Sequence, residues 1–329
     1  MLVAPHSMIL GTGCSVPEKI LTNADLERIV DTSDRWITER TGIKQRHVAE
    51  PGTPLSQIAV NAARQALEKA DTRPEEIDMI ILGTVTGDMM FPATACILQE
   101  MLGAKNASAF DLSAACSGFI YGLHLADNLL RGGGYRRILL VAGEILTCMV
   151  NWEDRDTCVL FGDGAGAAVL GPARDGKGVL YSGLGADGSF VPLLFNPGCG
   201  SLNPPTEANV RDKLATIRME GREVFRHALT SMGGAMEKAF EATGLQADDL
   251  ALLIPHQANL RIIEGLAKRT KIPMDKVYVN VDRYGNTSAA SIPIALDEVL
   301  RNGLVRDGDR VGLVSFGAGF TWGATILQF

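Results

Sequence analysis

One cysteine, Cys116, stands where a thiol could act as a nucleophile. It follows a short apolar stretch and precedes residues 119–130, whose apolar positions have helical spacing. A cysteine at such a strand-to-helix turn faces the helix N-terminus, where free N–H groups and the helix dipole favour the thiolate. The thiolate is the attacking species in thioester exchange. The position therefore predicts acyl transfer onto Cys116. The alternative is that Cys116 is a small buried apolar residue, which is how we interpret the other five cysteines.

Two further segments place polar side chains beside predicted strand ends. His256 comes directly after the predicted strand 251–254, and Asn286 lies in the loop 284–290. In α/β sheets, sites form outside the carboxyl ends of strands, so both segments fall where chemistry is expected. A lone histidine or a Gly-Asn turn is more often structural. Together with Cys116, however, the two residues predict a Cys-His-Asn site.

The elements that position these residues indicate an α/β fold. The 329 residues include 36 glycines, and short apolar strands alternate with longer stretches of helical spacing. The length corresponds to about two domains or one large fold. The predicted buried strands are 78–82, 138–142, 251–254 and 311–316, and the predicted helices include 56–70 and 221–242.

The chain also resembles itself at a nearly constant offset, which indicates a duplication. The strand segments 75–83 and 135–144 recur about 173 residues later, and the segment around Cys116 recurs about 175 residues later, which pairs Cys116 with Ser291. Convergence of αβ units on similar apolar patterns is the alternative. We predict an N-terminal half, 1–175, that carries the cysteine and a C-terminal half, 176–329, that carries the histidine and asparagine. Equivalent loops that face each other across a pseudo-twofold axis would bring the three residues together.

Composition and charge exclude several classes of protein. The formal net charge is −7, whereas a general nucleic-acid binder needs a basic face. No apolar run approaches the ~18 residues of a membrane span. The N-terminus lacks the pattern of a signal peptide, so we expect a cytoplasmic protein with no membrane partner. The six cysteines and five histidines lack metal-like spacing, so neither a zinc site nor a disulfide framework is predicted.

Several motifs, in one order, resemble those of the β-ketoacyl-acyl carrier protein synthase III family. The segments DLSAACSGF, PHQAN and YGNTSAAS resemble the Cys-His-Asn site of that family. The resemblance covers nearly the whole chain and continues through four further segments: 32–43, 161–170, 219–225 and 315–323. It implies a duplicated thiolase-like α/β fold with five layers in the order αβαβα.

The resemblance implies an acyltransferase that initiates fatty acid synthesis. Cys116 is expected to accept a primer acyl group from acyl-CoA, with acetyl-CoA as the default primer. His256 and Asn286 are expected to promote decarboxylation of malonyl-acyl carrier protein, because two preorganised N–H donors stabilise the enolate-like oxyanion that forms as CO2 leaves. The carbanion then attacks the acyl-Cys116 thioester and gives a 3-ketoacyl-acyl carrier protein. No metal and no permanently bound cofactor is implied.

Four positions resemble CoA contacts of the family. Trp36 and Arg155 match a pair that sandwiches the CoA adenine, a use that suits an aromatic face and a guanidinium plane. Arg40 and Asn259 match further contacts to CoA.

Two phenylalanines resemble residues of the acyl pocket and its surroundings. Phe91 matches a residue that reaches across a dimer interface into the neighbour's acyl pocket, which implies a homodimer. Phe316 matches a residue beside the active-site thiol, with core packing as the alternative. The backbone N–H groups of Cys116 and of the turn 317–319 are expected to hold the second oxyanion, and Ala318 stands where many relatives have glycine.

Basic residues predict a docking surface for an acidic partner. Arg218, Arg222 and Arg226 recur every four residues and would line one helix face. The positions that match the family's carrier-protein docking residues are Arg226, Arg261, Lys268 and Arg269. They imply electrostatic steering of malonyl-acyl carrier protein; a solvated charged face is the alternative. We expect Arg261→Glu to weaken use of the carrier protein while sparing acyl transfer from CoA.

Other functions stay open or are disfavoured. The alternative is a related Cys-His-Asn enzyme of secondary metabolism that condenses other acyl-CoAs or only transfers acyl groups. A non-catalytic partner subunit is disfavoured because it needs none of the three residues. Elongating synthases use two histidines and thiolases a second cysteine, whereas Asn286 fills the third position here. The glycines of 161–170 are predicted to be structural rather than a nucleotide loop, because 167–170 has the pattern of a strand.

Overall fold

The computed structural model describes residues 6–329, so the first five residues of the predicted N-terminal half lie outside the described residues. Its strands are β1 (Ser7–Ser15), β2 (Ile20–Thr22), β3 (Gln45–His47), β4 (Met79–Gly83), β5 (Ser108–Leu112), β6 (Ile138–Glu144), β7 (Gly164–Pro172), β8 (Gly178–Ala186), β9 (Leu194–Phe195), β10 (Arg218–Met219), β11 (Leu252–Pro255), β12 (Arg310–Gly317) and β13 (Thr321–Gln328). Its α-helices are α1 (Asn23–Leu26), α2 (Asp34–Thr41), α3 (Leu55–Lys69), α4 (Thr94–Leu102), α5 (Gly118–Arg131), α6 (Arg155–Cys158), α7 (Glu207–Arg211), α8 (Gly221–Thr243), α9 (Leu260–Thr270), α10 (Val281–Tyr284) and α11 (Ser291–Arg301).

Two main sheets repeat one strand order. The first has the order β1-β7-β6-β4-β5, and the second has the order β8-β13-β12-β11. The pairs β4-β5 and β4-β6 are parallel, as is β11-β12, the equivalent of β4-β6. The remaining neighbours β6-β7, β7-β1, β12-β13 and β13-β8 are antiparallel. The first sheet uses residues 7–172 and the second uses residues 178–328. The boundary at residue 175 stays a prediction.

Side-chain alternation along the strands separates the layers. Ile80 and Leu82 of β4 pack with α3 and α4, whereas Met79 and Ile81 point to the other face, toward α5 and α11. Helices α8 and α9 cover the outer face of the second sheet, where Phe316 of β12 packs. The layers are therefore α3/α4, sheet, α5/α11, sheet and α8/α9. This confirms the α/β, five-layered αβαβα arrangement.

The predicted elements agree with the structure to within two residues at most ends, but two expectations were wrong. Arg218 belongs to β10, and α8 begins only at Gly221, so Arg218 does not share a helix face with Arg222 and Arg226. The turn before α5 is a 3-10 helix at Ala115–Ser117, and its counterpart before α11 is Ser288–Ala290. Both begin with a left-handed residue, with φ of 45° at Ala115 and 50° at Ser288. The backbone offset is thus about 173 throughout, and Cys116 corresponds to Ala289 rather than to Ser291.

Candidate active site

One cavity of about 710 Å³ brings Cys116, His256 and Asn286 together. Each side chain lies just beyond a strand of one of the two sheets or at a loop between them, as the strand-end argument predicts. The rest of the cavity wall is mostly apolar. Its apolar members include Leu146, Met149, Leu194, Ile217, Met219, Val224, Phe225, Met232 and Phe316. Such a lining suits a reaction that develops charge out of water.

The Cys116 turn is fixed to the second sheet by hydrogen bonds. The Ser315 hydroxyl donates to the Cys116 carbonyl at 2.7 Å, and the Thr321 hydroxyl donates to the Ala114 carbonyl at 3.0 Å. Gly317 passes so close that a Cβ there would lie 2.7 Å from the Cys116 nitrogen. The nucleophile of the first half is therefore held in place by strands of the second half.

The thiol of Cys116 is neutral at rest, contrary to the sequence-based expectation of a thiolate. Cys116 is accessible through the cavity, but burial by the surrounding protein raises its pKa to about 12. The neighbouring Ser288 hydroxyl favours the thiolate, whereas the nearby Glu144 disfavours it. Desolvation outweighs the helix N-terminus at this position. Attack on a thioester therefore needs a group that accepts the thiol proton.

His256 is a neutral, oriented hydrogen-bond donor. Burial lowers its pKa to about 4, and its backbone N–H donates to the Val314 carbonyl at 2.8 Å. Its Nδ1 lies 2.7 Å from Ser291 Oγ, and that oxygen also accepts the Gln257 backbone N–H at 3.3 Å. Because the serine oxygen accepts the Gln257 N–H, its own hydroxyl proton is available to be donated to His256 Nδ1. This network assigns the ring proton to Nε2.

Two glycines allow the Asn286 loop to approach the first half. A Cβ at Gly162 would lie 2.4 Å from the Tyr284 carbonyl, and Gly285 has a φ of 66° with a ψ of −160°, a conformation for glycine. The Asn286 N–H then donates to the Leu160 carbonyl at 2.8 Å. Its Oδ1 accepts the Ser288 N–H at 2.9 Å, which leaves the carboxamide nitrogen as the donor toward the cavity. The glycines of 161–170 are structural, as the strand pattern predicted.

Two of the predicted CoA residues, Arg40 and Arg155, lie against Trp36, which lines the cavity together with Arg40. The guanidinium carbon of Arg40 lies 4.8 Å from the centre of the Trp36 ring, and that of Arg155 lies 4.7 Å from it. A base sandwiched between two planes needs them about 7 Å apart, because each contact takes about 3.5 Å. In this conformation no adenine fits between Arg155 and Trp36, so a bound base must displace a guanidinium. The Asn259 carboxamide lines the cavity and caps α9 by accepting the Arg261 N–H at 2.9 Å.

The two predicted phenylalanines have different surroundings. Phe316 is buried in β12, lines the cavity and packs against Phe320 with ring centres 4.6 Å apart. Phe91 is 84% exposed and lies outside the cavity of its own chain. Met89 and Met90 are exposed beside it. A partner surface is thus needed before Phe91 can enter any acyl pocket.

The four docking candidates are exposed, on α8 and α9. Arg226 pairs with Glu223 at 2.5 Å, and Arg269 lies 3.6 Å from Glu237. Exposed pairs of this kind contribute less than about 1 kcal/mol, so they can exchange for a partner's carboxylates. Arg261 also lines the cavity. Lys268 has no ion-pair partner within the part of the chain that the structure describes.

Sequence reasoning missed two residues beside Cys116. Ser288 lines the cavity between Asn286 and the thiol, and the carboxylate of Glu144 lies buried behind it. Neither carries a sequence signal, since Ser288 reads as one serine of a turn and Glu144 as the end of an apolar strand.

No three His, Cys, Asp or Glu side chains of residues 6–329 could hold a metal ion together. None of the helices in that range is long and apolar enough to span a bilayer.

Comparisons with known proteins agree with this geometry. Family models described as 3-oxoacyl-[acyl-carrier-protein] synthase III and its C-terminal part match residues 110–188 and 240–329. A β-ketoacyl-[acyl-carrier-protein] synthase III of Caldanaerobacter subterraneus subsp. tengcongensis is 54% identical over 98% of this chain and 97% of that relative. The crystal structure of the Aquifex aeolicus synthase III matches with a TM-score of 0.92 and 46% identity, over 98% of this chain and all of that one. A priming β-ketosynthase of the R1128 polyketide pathway has a TM-score of 0.91 at 36% identity, over 100% of this chain and 98% of that one.

The identity over nearly the full length of both chains, together with the shared fold, is decisive for the family. It also favours the synthase III assignment over the secondary-metabolism alternative, whose relative is less similar. Synthase III enzymes are acyltransferases of the condensing type. The chain therefore belongs to the β-ketoacyl-[acyl-carrier-protein] synthase III family.

Proposed function

We propose that Cys116, His256 and Asn286 carry out the condensation that initiates fatty acid synthesis, with a primer acyl-CoA and malonyl-acyl carrier protein as substrates. The observation that carries this proposal is the single cavity that all three side chains line. A nucleophile and two neutral N–H donors around one apolar space match the needs of acyl transfer followed by decarboxylation. No bound cofactor is required, because the thiol carries the acyl group.

The reaction has two halves that share the cavity. In the first, Cys116 sulfur attacks the acyl-CoA carbonyl, the C–S bond to CoA breaks, and CoA leaves. In the second, malonyl-acyl carrier protein loses CO2, and the enolate oxygen accepts hydrogen bonds from His256 Nε2 and the Asn286 carboxamide. The resulting carbanion attacks the acyl thioester, and Cys116 is expelled as the product forms.

Several further roles belong to the same proposal. Trp36, Arg40, Arg155 and Asn259 bind CoA, and the exposed basic residues of α8 and α9 dock the carrier protein. The exposed apolar segment Met89, Met90 and Phe91 supports a homodimer in which Phe91 reaches the partner's acyl pocket, because large apolar tips seldom face water in a monomer. We also propose a cytoplasmic location.

The test is product formation from purified protein. With acetyl-CoA and malonyl-acyl carrier protein, we expect acetoacetyl-acyl carrier protein and one CO2 for each CoA released. A panel of longer and branched acyl-CoAs then identifies the preferred primer. If the protein forms an acyl-enzyme but releases no CO2 and no 3-ketoacyl product, it only transfers acyl groups and the proposal is wrong.

Removing the Trp36 ring is expected to weaken acyl-CoA binding selectively. Base–aromatic stacking contributes about 1–3 kcal/mol, so Trp36→Ala should raise the KM for acyl-CoA about tenfold or more, with kcat changed about twofold at most. Steady-state kinetics at saturating malonyl-acyl carrier protein measure this. Trp36→Phe keeps a face and should recover most of the loss. A fall in kcat with constant KM would place the adenine elsewhere.

Reversing one charge on α9 is expected to weaken carrier-protein docking. Lys268 is exposed and does not line the cavity, so Lys268→Glu leaves the chemistry intact while it repels an acidic partner. We expect the KM for malonyl-acyl carrier protein to rise about tenfold at low salt and acyl transfer from CoA to stay unchanged. Lys105→Glu, a matched reversal beyond α4, is the control. Equal effects of the two variants would rule out a specific docking site.

The decarboxylation half-reaction is expected to be insensitive to pH near neutrality. Burial lowers the pKa of His256 to about 4, so the ring is neutral and its Nε2 proton is in place at every pH above about 5. CO2 release from malonyl-acyl carrier protein, measured without a primer between pH 6 and 8, should vary by less than about twofold. A loss of rate on raising the pH through 6.5 would mean that the imidazolium is the active form.

A further inference from the structure

Glu144 is a fully buried carboxylate that the steps above do not use. It ends β6, with 0% of its surface exposed. Its donors are the Thr84 hydroxyl at 3.1 Å, the Thr86 hydroxyl and the Val85 N–H at 3.2 Å. No arginine or lysine of residues 6–329 forms an ion pair or hydrogen bond with it. A buried carboxylate without a cationic partner is expensive to retain, which indicates a use for it.

The donors leave one oxygen of Glu144 able to hold a proton. Thr84 Oγ1 accepts the Thr86 N–H at 3.0 Å, and Thr86 Oγ1 accepts the Ile145 N–H at 2.9 Å. Both hydroxyl protons are therefore committed to Glu144 Oε2. Oε1 receives only the shared Val85 N–H and the Ser288 hydroxyl, at 3.4 Å. A proton on Glu144 thus fits at Oε1, on the side that faces Ser288.

Ser288 connects this oxygen to the nucleophile. Its hydroxyl donates to Glu144 Oε1 at 3.4 Å, and its side chain lies beside the Cys116 thiol in the wall of the same cavity. Its backbone N–H donates to Asn286 Oδ1 at 2.9 Å, which holds the backbone of Ser288 beside the two groups. His256 cannot serve in this role while Nε2 carries the ring proton. The thiol, a hydroxyl and a carboxylate form one continuous path for a proton.

The other ionisable groups around Glu144 are thiols and one carboxylate. Cys116 and Cys148 both lie within electrostatic range of Glu144, and Asp163 lies within that range of Cys148. Burial raises the pKa of Glu144 to about 7, while hydrogen bonds from Thr86, Val85, Thr84 and Ser288 oppose the rise. The carboxyl is therefore divided between its two forms near neutral pH, as a proton acceptor needs to be.

We propose that Glu144 accepts the proton of Cys116 during acyl loading, through the hydroxyl of Ser288, and holds it until Cys116 is expelled again. This inference rests on the proposed role of Cys116 as the nucleophile. Glu144 acts through Ser288 rather than on the substrate, so it is a positioning and proton-holding residue. The hydroxyls of Thr84 and Thr86 both donate to Oε2 of Glu144, so the proton is held on Oε1.

Atoms and charge balance over the cycle. As Cys116 sulfur bonds to the acyl carbon, its proton passes to Ser288 Oγ and the serine proton passes to Glu144 Oε1. The C–S bond to CoA breaks, and the CoA thiolate takes a proton from water. When the carbanion displaces Cys116, the thiolate regains a proton from Glu144 through Ser288. One proton from water is consumed in each turnover, for the CoA thiol.

The test compares Glu144→Gln with the wild type in each half-reaction. The loading rate, followed by rapid quench and intact mass with acetyl-CoA, should fall about 10²-fold, within the range of general acid–base effects. In the wild type the rate should rise with pH through about 7 and then level off, because the ionised carboxylate is the acceptor. That inflection should disappear in Glu144→Gln and return in Glu144→Asp. CO2 release without a primer should stay within about twofold.

Two further variants complete the design. Ser288→Ala should cause a similar loading defect, and the double variant should be no slower than either single one, because both interrupt one path. Asp163→Asn, which changes another buried carboxylate held by a threonine hydroxyl and backbone amides, should load acetyl groups at the wild-type rate.

The outcomes separate this inference from the proposed function. Normal loading in Glu144→Gln, a retained inflection, or an equal loss in both half-reactions would overturn the inference while Cys116 remains the nucleophile. If the wild type takes up no acyl group at Cys116, the proposed function itself fails.

Discussion

Cys116→Ala is expected to abolish acyl loading. After incubation with acyl-CoA, the wild-type protein should gain the mass of one acyl group, and the variant should gain none. The physical reason is that no other nucleophile takes the same position, since Ser288 points its hydroxyl between the thiol and Glu144. The condensation rate should fall by at least about 10⁴-fold. Intact-mass spectrometry and product formation measure the two effects.

The remaining cysteines provide the control for this experiment. Cys96 is exposed, outside the cavity, and more open to adventitious acylation than Cys116, so Cys96→Ala should keep the single adduct. CO2 release from malonyl-acyl carrier protein should survive in Cys116→Ala, because His256 and Asn286 are untouched. An adduct that persists in Cys116→Ala and is lost in Cys96→Ala would contradict the assignment.

Much of the fold was predictable because the strands have a simple physical signature. Segments such as 138–142 are continuous apolar runs, and in the structure both of their faces are buried between helical layers. The repeat at an offset of about 173 is visible because each half must satisfy the same layer packing. The loop comparison at 175 was wrong because it matched residue letters, whereas the left-handed residues Ala115 and Ser288 define the backbone equivalence.

The electrostatic state of the site could not be predicted from the sequence. The position of Cys116 before a helix favours a thiolate locally, but desolvation by residues distant in the chain outweighs that effect and raises the pKa to about 12. Ser288, which opposes that rise, and Glu144, which adds to it, are more than a hundred residues apart in sequence. Arg218 is a second example of a local pattern that misleads. Its four-residue spacing to Arg222 is typical of a helix, but Arg218 lies before the start of α8.

The nucleophile and the imidazole of the site are kept neutral until they react. The thiol and the imidazole carry no charge at rest, and the carboxylate of Glu144 is shielded from the cavity by Ser288. An enolate that forms beside His256 and Asn286 meets two neutral donors. A charge placed among those donors should therefore be far more harmful than the loss of a donor alone.

Asn286→Asp is expected to stop decarboxylation while acyl loading continues. The change is nearly isosteric, and the aspartate can still accept the Ser288 N–H that Asn286 Oδ1 accepts at 2.9 Å. The other aspartate oxygen takes the place of the carboxamide N–H donor, so a negatively charged oxygen faces the developing enolate. Loss of one oxyanion donor costs about 10²–10³-fold, so the reversal should lower CO2 release by at least about 10³-fold.

Asn286→Ala, which removes the donor without adding charge, provides the matched comparison and separates the two causes. We expect it to fall between the wild type and Asn286→Asp in CO2 release, with an intact-mass acyl adduct in all three proteins. Loading that survives in both variants shows that the Cys116 turn and the CoA site are folded. If Asn286→Asp released CO2 as fast as Asn286→Ala, the carboxamide would not face the enolate, and His256 Nε2 would stabilise it alone.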